Sequence, residues 1–144
     1  MSYVRNWLHC VWGTKNRHFF LNPETKDVII EHIVQNAKLK SIYIDIINGN
    51  KEHLHCIISL HPEQSLAKVI QLIKGESSFW INRNKITKQQ FEWADEYFGV
   101  SFGESQLQNV RTYIRNQEEH HRIKTWEEEY NEFMAVYGFQ VMKG

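Results

Sequence analysis

The sequence predicts an α+β fold: a ferredoxin-like or RRM-like antiparallel sheet with helices on one face, then a tyrosine-bearing helix and a final helix. Three observations predict it. Short segments alternate apolar and polar residues with period two, and longer segments between them carry apolar residues at helical spacing. Their order is strand, helix, strand, strand, helix, strand, then helices, which is a split βαβ arrangement. Asn48-Gly49, a strong hairpin signal, lies between the second and third strands and makes them antiparallel neighbours.

The elements follow in order. Residues 3–12, with Tyr3, Val4, Trp7, Leu8, Cys10, Val11 and Trp12, read as the first strand, and Gly13 to Arg17 as a polar, basic loop. Asn22-Pro23 is a helix start, Asn as N-cap and Pro at the first helical position, before Ile29, Ile30, Ile33, Val34 and Ala37. Ile42, Ile44 and Ile46 alternate with Tyr43 and Asp45 as the second strand, and residues 52–60 return beside it. A second helix runs from about Ser65, its polar stretch from Lys74 to Ser78 reading as an interruption. Residues 91–103 read as a strand broken by Gly99. A helix from about Ser105 carries Leu107, Val110, Tyr113 and Ile114. Thr125-Trp126-Glu127-Glu128 fits a capping box for the last helix, whose apolar stripe is Trp126, Tyr130, Phe133, Met134 and Tyr137.

A chain of 144 residues, 42% hydrophobic and 13% aromatic, is sized for one domain spanning 1–144 with a real core. It has no apolar run near the length of a membrane span and no signal peptide, which predicts a cytoplasmic protein with Cys10 and Cys56 as reduced core thiols. A formal net charge of zero argues against a simple basic DNA coat. The distribution is uneven, however. Residues 1–126 hold 16 Lys and Arg against 13 Asp and Glu, whereas the tail sets Glu127, Glu128, Glu129 and Glu132 against Lys143. The body, and not the acidic end, can face nucleic acid.

His53-Leu54-His55 is the most informative triplet. Strand alternation points both imidazoles one way and Leu54, Cys56, Ile58 and Leu60 the other, under the helices. The histidines therefore fall on the open sheet face, where their loss costs little packing. The same alternation separates Cys56 from them and opposes a His-Leu-His-Cys zinc site. With eight histidines in the chain, about 0.4 such pairs arise by chance, so ordinary surface histidines remain an alternative for the triplet alone. A second element adds weight. Tyr113 and Gln117, four apart, stack on one edge of a helix. Two imidazoles and an amide oxygen suit Mg²⁺ or Mn²⁺ and leave about three octahedral positions for phosphate oxygens and water. Tyr113 suits a nucleophile. A phenol, with an ordinary pKa near 10, needs help at neutral pH, and a metal that polarises the phosphate lowers that demand. No Gly-rich phosphate loop occurs, so no nucleotide cofactor is expected.

These residues resemble the HUH-class single-tyrosine transposases of bacterial insertion sequences, the small TnpA-like, IS200-like kind. His53-Leu54-His55 matches the paired-histidine motif, and Tyr113 with Gln117 matches the tyrosine helix and its third metal ligand. The opening strand with Thr14-Lys15-Asn16-Arg17, and the stretch from Asn116 to His121, look like the same group. The resemblance implies a homodimer, a divalent metal, and cleavage and rejoining of single-stranded DNA near hairpins through a 5′-phosphotyrosine. It also implies that the tyrosine helix of one subunit can serve the histidines of the other. Lys15, Arg17, Lys74, Arg111, Arg115 and Arg122 are the candidate DNA contacts, each otherwise a solvated charge. His120-His121 reads more readily as a helix end than as a phosphate contact. Competing readings are a non-catalytic RRM-like module, against which the lack of aromatics at His53, His55, Ile57 and Ser59 counts, a replication initiator or relaxase, and a host-recruited HUH nuclease.

Overall fold

The computed structural model describes residues 3–118 and, beyond them, positions 128, 131, 132 and 135, which are helical. Strands β1 (Trp7–Gly13), β2 (Tyr43–Gly49), β3 (His53–Ser59) and β4 (Phe98–Phe102) pair antiparallel in the spatial order β2-β3-β1-β4. Helix α1 (Pro23–Leu39) links β1 to β2, and α2 (Leu66–Arg83) links β3 to β4. This is the split βαβ arrangement that the segment order predicts. Both helices start where the sequence signals them. Asn22 Oδ1 accepts from the Thr25 amide at 3.0 Å, and the Ser65 side chain caps α2 through the Lys68 amide at 3.1 Å. The apolar stripe from Trp126 to Tyr137 lies outside the described residues.

One sheet face carries the main core. Cys10, Trp12, Leu54, Cys56 and Ile58 pack against Ile29, Ile33 and Ala37 of α1 and Val69, Ile70, Ile73 and Ile81 of α2. Cys10 and Cys56 are cross-strand partners there, both free and buried. Burial pushes the Cys56 thiol up, which keeps it an inert, protonated core group.

The opposite face is not open, contrary to the sequence reading. Helix α3 (Leu107–Arg115) lies across it and sets Leu107, Val110 and Ile114 on Trp7 and Ile57, forming a second, smaller core. Every residue of β3 from His53 to Ile58 is consequently buried.

Several local expectations change. β2 does not alternate cleanly, because a bulge lies between Ile44 and Ile46. The extra residue, Asp45, shifts the phase, so Ile44 and Ile47 meet the main core while Ile46 meets the second. Asn48 and Gly49 are the last residues of β2, not the turn, which is Asn50 to Glu52. Asn50 Oδ1 accepts from the amides of Glu52 and His53 at 3.0 and 3.2 Å and closes that turn. Helix α2 runs unbroken through Lys74–Ser78, where the Ser77 and Ser78 hydroxyls donate to carbonyls three residues back. β4 is shorter than residues 91–103 and contains Gly99 within it, facing Cys10. Phe91 and Trp93 are instead buried in irregular chain, their rings 4.6 Å apart and edge to face, with the Trp93 indole donating to Ser77 Oγ at 2.9 Å.

Two glycines separate close approach from chance. A Cβ at Gly49 would stand 2.1 Å from the His53 carbonyl oxygen and 2.9 Å from Leu54 Cα, both backbone atoms, whereas one at Gly75 would meet nothing within 4 Å. Gly49→Ala is therefore expected to lower the unfolding free energy by about 2 kcal/mol or more. Gly75→Ala, on the exposed side of α2, should raise it by about 0.5–1 kcal/mol. Urea midpoints of the two variants check both signs.

Candidate active site

β3 is a central strand with a layer on each side, and its alternation sorts the two jobs. Leu54, Cys56 and Ile58 serve the main core, while His53, His55 and Ile57 face α3. His53 and His55 are each 1% exposed, and their ring centroids are 5.1 Å apart. Their removal costs packing as well as donors, which corrects the expectation for an open face.

Three polar ties fix α3 over these rings. Before its first turn, Glu104 accepts from the Trp7 indole at 2.5 Å and pairs with Arg5 at 3.3 Å. In its middle, Arg111 forks onto the bulge residue Asp45, Nε to Oδ2 at 2.8 Å and Nη2 to Oδ1 at 2.7 Å. At its end, the Asn48 amide donates to the carbonyls of Ile114 and Arg115 at 3.0 and 3.2 Å, satisfying groups that a helix terminus leaves open. Asn48 is the cross-strand partner of His55, so the end of α3 lies level with that histidine.

Tyr113 is thereby set against the chain's own histidines. Its ring meets His55 edge to face at 5.6 Å and His9 at 6.0 Å. Gln117 is buried, 5% exposed, but it does not continue the α-helix. The chain tightens into a 3-10 turn over Asn116–Glu118, and Gln117 enters from that turn.

Sequence reasoning missed His9, Asn50 and Glu52. His9 is fully buried on β1, with its Nε2 2.9 Å from Nδ1 of His55. The Asn50 amide nitrogen lies 3.3 Å from His53 Nε2, and Glu52 Oε1 lies 3.8 Å from His53 Nδ1. A signal for His9 was present. It sits between Leu8 and Cys10, so the alternation that turns Cys10 and Trp12 inward turns it toward the other face.

The candidate cations divide. Arg17 sits in the loop after β1, with Nε 3.8 Å from the Glu52 carboxylate that borders His53. Asn16 and Arg17 both adopt left-handed backbone there, φ 55° and 57°, an uncommon state for non-glycine residues. Lys15 pairs with Glu92 at 2.8 Å, which raises its pKa. Lys74 is not brought to the site. It lies on α2, beyond the sheet, and its ammonium donates to the carbonyls of Ala94, Asp95 and Glu96, while burial lowers its pKa. Arg111 is committed to Asp45, which raises its pKa further. Arg115 is exposed at the end of α3. Arg122, His120 and His121 lie outside the described residues.

Among the described residues, no group of three or more His, Cys, Asp or Glu is placed to hold a metal ion. A family model, "Transposase IS200 like", matches residues 2–117. The chain belongs to that family. Two solved structures share the fold of this transposase. One is a candidate transposase from Deinococcus radiodurans R1, 21% identical, covering 81% of this chain and 95% of its own, with a TM-score of 0.65. The other is a REP-associated tyrosine transposase bound to a REP hairpin, 15% identical, covering 79% of this chain and 66% of its own, with a TM-score of 0.56. No curated protein matches the sequence. Among the described residues, no helix is long and apolar enough to cross a membrane.

The Arg111 fork makes a checkable claim. Asp45's side chain is 8% exposed, so removing its partner leaves a largely buried carboxylate unpaired. Arg111→Ala is expected to lower stability, and Arg111→Lys to restore only part of the loss, because a lysine cannot fork. Chemical denaturation checks this. Unchanged stability with weakened DNA binding would instead make Arg111 a phosphate contact.

Proposed function

We propose that this transposase cleaves and rejoins single-stranded DNA at hairpin-containing ends, with Tyr113 as the nucleophile and His53, His55 and Gln117 as the ligands of a divalent cation, Mg²⁺ or Mn²⁺. The observation that carries the reading is the packing of the tyrosine helix onto the paired-histidine strand, Tyr113 against His55 at 5.6 Å.

The donor set fits such an ion. His53 and His55 offer imidazole nitrogens from one rigid strand and Gln117 offers a hard amide oxygen in a buried position, three donors that leave octahedral positions open for phosphate oxygens and water. A divalent cation held there supplies charge to a non-bridging phosphate oxygen.

The chain's own residues do the rest. Tyr113 Oη attacks the phosphorus of a phosphodiester. The phenol gives up its proton as the tyrosyl O–P bond forms, the P–O3′ bond breaks, and the departing 3′ oxygen takes up one proton to become a hydroxyl, so no net proton is gained or lost. The 5′-phosphotyrosine retains the energy of the broken bond, so attack by a 3′-hydroxyl reverses the step without a nucleotide cofactor. The three ties on α3 hold the phenol in register with the histidine strand. Arg17, whose neighbour Glu52 also borders His53, is the cation best placed to meet the DNA backbone. The covered sheet face disfavours the non-catalytic RRM-like reading, since α3 occupies the surface on which bases would stack. A homodimer is the assembly the family resemblance implies.

Two outcomes test this. Tyr113→Phe is expected to keep single-stranded DNA binding and lose the covalent adduct on a denaturing gel, and His53→Ala or His55→Ala to lose cleavage in Mg²⁺ or Mn²⁺. An adduct that persists in the Phe variant, or maps to another tyrosine such as Tyr97, would overturn the nucleophile. Hairpin-bearing single strands are expected to bind more tightly than perfect duplex, with affinity falling as salt rises. Gel-shift titration at several salt concentrations reads both, and a preference for duplex would sink the substrate assignment.

A further inference from the structure

We infer that His9 is a positioning residue for the metal site: it accepts a hydrogen bond from Nδ1–H of His55 and so fixes the tautomer in which His55 Nε2 presents its lone pair as a ligand. The inference rests on the proposed role of His55 and extends it to a third histidine.

His9 Nε2 and His55 Nδ1 are 2.9 Å apart, both residues are at most 1% exposed, and one proton must lie between the two nitrogens. Two arrangements satisfy that contact. If His9 donates, His55 carries its proton on Nε2, and that nitrogen cannot ligate a metal. If His55 donates, its Nδ1 is the protonated atom, and Nε2 is available for coordination. Only the second arrangement is compatible with metal bound through Nε2. A metal-bound imidazole is commonly held in this way by an acceptor on its other nitrogen, which fixes ring orientation and raises basicity.

The fold gives His9 the rigidity that the role needs. β1 is flanked on both sides, with His9 opposite Ile57 of β3 and Val100 of β4. Val11 is the direct partner of His55, which makes His9 its diagonal neighbour across the ladder, within reach of a long or aromatic side chain. The Tyr113 ring rests against both imidazoles, at 6.0 Å from His9 and 5.6 Å from His55, and limits their rotation. A leucine at position 9 would fill similar space without an acceptor, whereas a glutamine places an amide oxygen near the position of Nε2.

The experiment is Mn²⁺ binding to the full-length protein, titrated by electron paramagnetic resonance of the free ion, for the wild type, His9→Leu, His9→Gln and His53→Ala. His9→Leu is expected to weaken Mn²⁺ binding by about 10–100-fold, and His9→Gln to recover it to within about threefold of wild type. His53→Ala should bind weakly whatever the role of His9. If His53→Ala weakens binding but folded His9→Leu binds as the wild type does, or His9→Gln is as weak as His9→Leu, the role of His9 is wrong and the site stands. If His53→Ala binds Mn²⁺ as the wild type does, the site assignment falls and the inference with it. Long-range ¹H–¹⁵N correlation of the wild-type protein in Mg²⁺ keeps the question answerable should the variants misfold. A proton on Nδ1 of His55 is expected, and one on Nε2 would overturn the inference.

Discussion

The site depends on one constraint: β3 is a central strand covered on both faces. A covered strand cannot present polar side chains to water, so every imidazole on it needs a partner within the protein. His53 has the Asn50 amide, and His55 has His9. These partners come from the hairpin turn and from the neighbouring strand, both fixed by backbone pairing. Low mobility and low local polarity are what a preorganised site requires, because ligands already held in place lose little freedom when an ion or phosphate arrives.

The covering element is the one that carries Tyr113. α3 is nine residues long and contributes three buried apolar side chains, Leu107, Val110 and Ile114, against a far larger main core. A helix this short is marginal by itself, so its position is set by what it touches. The ties to Trp7, Asp45 and Asn48 supply orientation as well as attachment, since the Arg111 fork and the paired carbonyls at the C-terminus each accept only one geometry. The bulge at Asp45 belongs to the same design. Were Asp45 paired regularly instead of bulged, strict alternation would put Ile46 on the same face as Ile44 and away from α3.

Much of this was legible in the sequence, for identifiable reasons. The helix starts at Asn22-Pro23 and Ser65 depend on local hydrogen bonds, and local chemistry is what a sequence displays. The separation of Cys56 from the two histidines follows from strand alternation alone. The shared metal site implies that the Tyr113 and Gln117 edge lies over paired histidines, but that α3 covers the chain's own pair was not legible, because amphipathic spacing shows that a helix has an apolar face and not which surface receives it. His9 was hidden for a related reason. Alternation gives its face, but its approach to His55 depends on the β1–β3 register, which no single strand reveals. Lys74 and Arg111 were misleading in the opposite sense. Each reads as a solvated cation, and each is taken up by acceptors distant in sequence, the carbonyls of Ala94 to Glu96 and the carboxylate of Asp45.

The two layers also divide the demands on the chain. The main core, with Trp12, Phe91 and the α1 and α2 aliphatics, carries hydrophobic stabilisation and little polar chemistry. The α3 face carries the histidines, the tyrosine and the buried amide of Gln117, and it is held to a large extent by directional contacts. Packing and the proposed chemistry are thus served from opposite sides of one sheet, and β1, β2 and β3 each contribute side chains to both. A cavity made at Leu54 or Ile58 acts on the first layer and disturbs the histidines only through the strand's backbone. A change at Asp45 or Asn48 acts on α3 directly and leaves the main core intact. This separation explains how a sheet of four strands can combine a conventional hydrophobic interior with a buried cluster of three imidazoles beside a phenol.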